Sequence, residues 1–302
     1  LCREAKNGYS GYQQLFMGDN DCNPEAMKEI IFPIRQDGLK ARAYAGTTYL
    51  VSASTIAGMP YASTGDPWKC MFARENMVEK FFPNKKDIPM ATVGDVLKNP
   101  SKEEVIAKDS EKGYGTADVI AKAGDDRALL YMGVGGCEEG KVRTINPGEA
   151  ITGPLNGASF VKWSNLHADG STQHDQNYSD TDFPMFRLAE IYLTRAEAKY
   201  RLNGSQEGLA DIQLVQDRAN RQIKATSVDE QTLIDEWCRE FYMEGRRRSD
   251  LVRFGLFTGS KYLWSYKGGA ENGAGIPAYY DVYPIPDNEI KNNPNMHQNP
   301  KY

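Results

Sequence analysis

Between residues 183 and 257 apolar side chains recur at helical spacing three times in succession, and this block constrains the fold more than any other stretch. It opens at Asp180-Thr181-Asp182-Phe183-Pro184. A carboxylate before a proline suits a helix start, because its oxygen can accept orphan N–H groups and proline's fixed φ suits the first turn. Leu188, Ile191, Tyr192 and Ala198, with Ala189 and Ala196 close by, mark one face of the first helix, and Asn203-Gly204 closes it. Ser205 is placed to cap a second helix, striped by Leu209, Ile212, Val215, Ala219 and Ile223. Ser227-Val228-Asp229-Glu230 reads as a capping box before a third helix carrying Leu233, Trp237 and Phe241. Three helices joined by tight turns form a piece of an α-solenoid.

The residues of this block also carry a resemblance. The run Phe183-Pro184-Met185-Phe186-Arg187-Leu188-Ala189-Glu190-Ile191-Tyr192-Leu193-Thr194-Arg195-Ala196-Glu197-Ala198 resembles the last tetratricopeptide-like unit of the SusD/RagB family. Arg239-Glu240-Phe241-Tyr242-Met243-Glu244-Gly245-Arg246-Arg247-Arg248-Ser249-Asp250-Leu251-Val252-Arg253-Phe254-Gly255 is similar to that family's following helix. Tyr283-Pro284-Ile285-Pro286-Asp287-Asn288-Glu289-Ile290, then Asn293-Pro294-Asn295 and Gln298-Asn299, resembles its C-terminal signature. Three motifs in order and spacing make the resemblance specific. It implies a mainly α fold, with tetratricopeptide-like helical pairs, long irregular loops and a few short strands. It also implies a surface-exposed outer-membrane lipoprotein that binds glycans and covers a SusC-like TonB-dependent transporter.

The 302 residues suffice for one large or two ordinary domains. A formal charge of −5 and a pI near 5.4 argue against a nucleic-acid binder, which needs a basic face. Mean hydropathy is polar at −0.60, yet 11% aromatic content is too high for a disordered chain. Cys2, Cys22, Cys70, Cys137 and Cys238 show no CxxC spacing and no dense disulfide framework. A Cys2–Cys22 pair stays open, and Cys238, inside a helix, reads as a small buried hydrophobe. There is no signal peptide and no span of ~20 apolar residues. By resemblance the sequence is the C-terminal portion of a family member, whose lipid anchor and earlier repeats would lie in an N-terminal half. Residues 1–183 are then a loop-rich glycan-binding portion, and 184–302 the helical repeat and tail of the same domain.

Along the first portion, residues 8–17 read as a short helix or turn, and Ile30-Ile31-Phe32-Pro33-Ile34 as a buried strand or extended segment. Residues 40–67, rich in Gly, Ala, Ser, Thr and Tyr, read as a long ordered loop. Residues 68–82 read as a helix closed by Pro83, and 98–112 as a solvated insertion. Ala128-Leu129-Leu130-Tyr131-Met132 and Val161-Lys162-Trp163 are strand candidates, Gly133-Val134-Gly135-Gly136 a turn, and 164–179 a polar loop.

Tyr44 and Trp68 are the candidate ligand-binding residues. Sugar rings present flat C–H faces to aromatic planes, and a loop of Gly, Ser, Thr and Asp supplies partners for hydroxyls. By residue type alone, core packing is the open alternative. The resemblance adds that residues 30–50 and 57–82 are similar to starch-binding members, in which these two positions form part of an aromatic arc around a turn of α-glucan. Asp19, Asp21, Asp180 and Asp182 form two Asp-x-Asp clusters. Adjacent carboxylates suit a hard cation such as calcium, though the spacing is not an EF-hand. Turn and cap roles are the alternative. The resemblance assigns a structural calcium to Asp21, Asp180 and Asp182, with Asp19 left out. Arg246-Arg247-Arg248 lies beside Glu240, Glu244 and Asp250 and reads as structural ion pairing. No acid pair stands in a catalytic motif, and His167, His174 and His297 lie in polar loops without a nucleophile or HExxH pattern. The sequence therefore points to a non-catalytic binder of starch-type α-glucans with no catalytic cofactor. A protein-interaction scaffold, or a binder of another glycan, is the alternative reading.

Overall fold

The computed structural model describes residues 1–56, 58–60, 62–137, 144–145 and 157–302. They fall into two compact units, Leu1–Met243 and Glu244–Tyr302. The fold is mainly helical with a few short strands.

In the first unit, α1 (Gly11–Gln14) is closed by a capping box between Ser10 and Gln13, and α2 (Pro24–Met27) starts on Asn23 with proline in its first turn. β1 (Ile30–Ile34) then pairs antiparallel with β5 (Phe183–Arg187), matching Ile30 with Arg187 and Ile34 with Phe183. Residues 183–187 are thus strand, and α7 (Leu188–Asn203) begins five residues later than its sequence pattern suggests. Pro184 lacks the N–H of a ladder, which an edge strand of a two-stranded sheet tolerates. β1 is also less buried than its composition implies: Ile31, Phe32 and Ile34 are exposed.

The three helices form in the expected order, but the buried face of α7 is turned away from the expected stripe: Ile191 and Ala198 are exposed, and so is Ile223 of the second stripe. Ala189, Leu193 and Ala196 of α7 are buried, and Gly204, in the left-handed region, closes it by donating to Tyr200 O at 2.7 Å. Ser205 caps a short 3₁₀ turn that leads into α8 (Leu209–Arg218). Gly208 is required at the crossing, since a Cβ there would sit 2.7 Å from Ala196 O. α9 (Glu230–Phe241) buries Leu233, Ile234, Trp237 and Phe241, and the Trp237 indole donates to Glu197 Oε2 of α7 at 2.9 Å. Its cap is Asp229, which accepts from Thr232 N; the expected Ser227 box does not form, because the helix starts two residues later.

Several segments depart from the sequence expectation. Residues 47–54 form α3 (Thr47–Ser54) inside the stretch read as loop; it shows no amphipathic period because six of its eight residues are buried. Residues 68–71 form no helix and are followed by β2 (Phe72–Ala73) and α4 (Glu75–Val78), so no continuous helix runs from Trp68 to Phe82. The N–H groups of Trp68, Cys70 and Met71 are drawn onto the last carbonyls of α3, Ser52 O and Ala53 O, at 2.8–3.0 Å. The expected solvated insertion contains α5 (Lys102–Lys112), closed by a Ser101–Glu104 capping box and Gly113, and α6 (Thr116–Ala123) follows. β3 (Leu130–Tyr131) lies within its expected run, whereas the second candidate, 161–163, is not strand and the strand forms three residues earlier, as β4 (Ala158–Phe160). The three strands pair antiparallel in the order β2-β4-β3. They pack under Val78, Phe81, Phe82 and Tyr242. All five cysteines are free, so Cys2 and Cys22 do not pair.

A buried charge cluster ties these pieces together. Arg127, Arg187 and Arg218 all donate to the Glu240 carboxylate of α9, Arg187 also to Glu29 and Arg127 also to Glu236 and Asp125. Every one of these side chains is buried.

The second unit is self-clamped. α10 (Arg247–Arg253) carries Asp250 between Arg246 and Arg253 at 3.3 and 2.8 Å, the expected structural pairing. Arg248 instead lies over the Tyr283 ring at 3.8 Å and donates to Tyr280 O. Before α11 (Asp287–Asn292), the Gln298 side chain exchanges two 2.8 Å hydrogen bonds with the Ile285 backbone, and Asn299 donates to Tyr283 O. The C-terminal signature thus folds back on its own Tyr-Pro-Ile-Pro segment.

Candidate binding surface

Tyr44 and Trp68 come together on the first unit, with ring centroids 6.3 Å apart and planes inclined by 44°. Two further rings join them. Tyr49, on α3, lies 5.7 Å from Trp68 at 58°, and Tyr178, in the loop before β5, lies 4.8 Å from Tyr44 at 39°. Tyr44 is 56% and Tyr49 42% exposed, while Trp68 and Tyr178 are half-buried. Core packing is therefore not the role of Tyr44: its ring stands on the surface with its flat area available.

The local chain builds this surface from inside. α3 is anchored where Thr47 Oγ1 donates to Thr181 O at 2.6 Å and Thr48 Oγ1 accepts from Ser179 N at 3.0 Å. That links the Tyr49 helix to the Tyr178 loop. Trp68 is fixed twice, by its backbone bond to Ser52 O and by its indole N–H donating to Asp66 Oδ2 at 2.7 Å. Lys69 after it adopts φ +55, the left-handed turn that swings the chain from Trp68 into β2. The hydroxyl contact with Tyr178 pushes the Tyr44 phenol pKa up. The four rings form one contiguous cluster, ordered Tyr178, Tyr44, Trp68, Tyr49, with each neighbouring pair inclined by 39–58°.

Sequence reasoning missed Tyr49 and Tyr178. No spacing signal singles them out, because the partners of Tyr178 lie far away in the chain and Tyr49 sits on a helix whose period is masked by burial.

The candidate cation ligands divide. Asp21 and Asp182 both lean on Arg35, at 3.5 and 3.0 Å, and Asp182 Oδ1 accepts from Gln36 N at 2.8 Å. Burial raises the Asp182 pKa against those bonds. Asp180 Oδ2 takes the His174 N–H at 2.9 Å and contacts His167 Nε2 at 3.0 Å. Neither aspartate caps a helix; both shape the loop into β5. Asp180 Oδ1 and Gln36 Oε1 are buried acceptors that receive no hydrogen bond, although His174 Nδ1 lies 3.3 Å from the former. Among the described residues no three His, Cys, Asp or Glu side chains converge as a metal-holding group. Asp19 faces elsewhere, accepting from Ala168 N and Asp169 N.

The SusD family model (SusD_RagB) matches residues 28–302. The chain is 53% identical over 298 residues to the starch-binding protein SusD of Bacteroides thetaiotaomicron, covering 97% of this chain and 52% of that protein. It thus spans about half the length of that relative. Among solved structures, a SusD-like protein of Bacteroides fragilis superposes with a TM-score of 0.59 at 15% identity, over 99% of this chain and 59% of the other. Surface glycan-binding protein A of Bacteroides thetaiotaomicron gives 0.54 at 17% identity, over 96% and 54%. Those two likenesses speak for the fold alone, and the family match over the helical block, the binding surface and the tail settles the lineage. The chain belongs to the SusD family.

Proposed function

We propose that this chain is part of a non-catalytic cell-surface protein that captures starch-type α-glucans and maltooligosaccharides. The observation that carries the reading is the surface cluster of Tyr44, Trp68, Tyr49 and Tyr178, in a chain 53% identical to a starch-binding protein. Ring faces would stack on glucose C–H faces, and Asp66 and the tyrosine hydroxyls would meet sugar hydroxyls. Titration calorimetry with maltoheptaose tests it: saturable binding with no release of reducing sugar on long incubation supports a binder. No heat, or steady hydrolysis, contradicts it.

The reading places the protein at the outer membrane, as a lipid-anchored lipoprotein delivering glycan to a SusC-like TonB-dependent transporter. No helix among the described residues is long and apolar enough to cross a membrane. Co-purification with the transporter from outer membranes tests that partnership. We further propose a structural calcium held by Asp21, Asp180 and Asp182. The donor set fits in kind, being all oxygen with the buried acceptors Asp180 Oδ1 and Gln36 Oε1 left without a donor, while the Asp21 and Asp182 carboxylates, which lean on Arg35, would have to turn from it to converge with Asp180 on the ion. Bound calcium would supply charge neutralisation; these residues would thereby hold the loop into β5 against residues 35–38.

A further inference from the structure

We propose that Tyr178 is a working ring of the glycan-binding surface and that Arg42 is the residue that positions it. The inference rests on the glucan-binding reading above and adds two residues to it.

Tyr178 is placed by buried chemistry although its ring serves the surface. Asn165, which is buried, donates through Nδ2 to Asp175 O at 3.0 Å and to Tyr178 O at 3.2 Å, while its Oδ1 accepts from Asp180 N. Asp175 Oδ1 accepts from Asn177 N and Tyr178 N at 2.7 and 3.1 Å, so the loop turns on that carboxylate. The backbone carrying the ring is therefore held at both ends of residues 175–178. The ring then meets two groups: Tyr44 at 4.8 Å and the Arg42 guanidinium, 4.6 Å from its centroid. Arg42 is itself oriented by Asp175 Oδ2 at 3.7 Å. One aspartate thus sets both the turn beneath Tyr178 and the cation against it.

Tyr44 is the beneficiary. It sits in an exposed loop, and its ring contacts are Trp68 and Tyr178. A ring held in its bound orientation before the ligand arrives loses less freedom on binding than one free to rotate. Arg42 thereby acts through Tyr178, and Tyr178 acts both as a stacking face and as the support of Tyr44.

The test is a double-mutant cycle read by maltoheptaose calorimetry, with folding checked by circular dichroism and melting. Trp68→Ala serves as the reference for the site. Tyr178→Ala is expected to weaken binding about tenfold, the upper scale of a single aromatic stacking contact. Arg42→Ala should weaken it about threefold, the scale of one exposed cation–π contact. The Arg42→Ala/Tyr178→Ala double variant should bind no more weakly than Tyr178→Ala alone. Additive losses would mean that Arg42 acts independently of the ring and would overturn its positioning role. Tyr178→Ala binding like the wild type while Trp68→Ala does not would overturn the inference and leave the glucan site standing. Absence of binding by the wild type overturns both. Tyr178→Leu, which fills the space without a flat face, guards against unfolding and should lose binding as Tyr178→Ala does.

Discussion

Replacing Glu240 by glutamine should be the most damaging near-isosteric change in the first unit. The Glu240 carboxylate receives hydrogen bonds from Arg127, Arg187 and Arg218, and its backbone carbonyl receives Tyr12 Oη at 2.8 Å and Arg187 Nη2 at 2.9 Å. Burial by itself would raise its pKa, but the Arg218, Arg187 and Arg127 charges outweigh burial and hold it well below the usual range. Each charge-assisted bond is worth roughly 1.5–3 kcal/mol. Glutamine keeps one acceptor oxygen and turns an amide N–H₂ towards a guanidinium, so part of that sum survives. Leaving buried charge without its partner costs about 3–5 kcal/mol. That is a large share of the ~5–15 kcal/mol that stabilises a domain. For a unit of this size it corresponds to a fall in Tm of roughly 6–20 °C. Urea denaturation followed by circular dichroism measures the loss, and a change below about 1 kcal/mol would refute the argument that the cluster needs this negative charge. The pH dependence has a definite sign. Glu236 and Glu240 have folded pKa values below their unfolded ones, so their contribution is complete above about 4.5. It is lost as pH falls, through about 2 in the case of Glu236.

Other expectations follow from single contacts. Gly208→Ala should cost about 1–3 kcal/mol by urea denaturation, because the new Cβ meets backbone, Ala196 O at 2.7 Å, and not a side chain that can turn aside. Asp229→Ala should cost ~1 kcal/mol and Ser227→Ala nearly nothing, which separates the actual cap of α9 from the one its sequence suggests. If calcium sits at Asp21, Asp180 and Asp182, chelation should lower the melting temperature and Asp182→Asn should remove the chelator's effect; equal melting with calcium and with chelator would exclude the ion.

The helical block was legible because its order is local. Gly204, Ser205 and the stripes through Ile212 and Trp237 act within a few residues of themselves, whereas the face α7 buries, through Leu193, is chosen by the elements packed on it. β5 was not, because residues 183–187 have helix-compatible composition and become strand only through pairing with residues 30–34, far off in the chain. α3 escaped for the opposite reason: Thr, Ser and Val buried on almost every side leave no period to read. α5 was misread despite a visible Ser101-x-x-Glu104 box, its low apolar content having outweighed the cap. At the site, Tyr44 and Trp68 were accessible through family resemblance. Tyr178 and Arg42 needed coordinates, since a ring contact made by a turn on Asp175 leaves no mark in spacing.

Affinity electrophoresis in native gels with and without amylopectin, comparing the protein with Trp68→Ala, tests whether this aromatic surface binds α-glucan. Trp68 joins Tyr44 to Tyr49, so its loss breaks the surface in the middle and should cost roughly 2 kcal/mol or more of binding. Amylopectin should retard the wild type, and Trp68→Ala, still folded, should run almost freely. Equal retardation of both would place α-glucan binding elsewhere, and free migration of both would contradict the starch assignment.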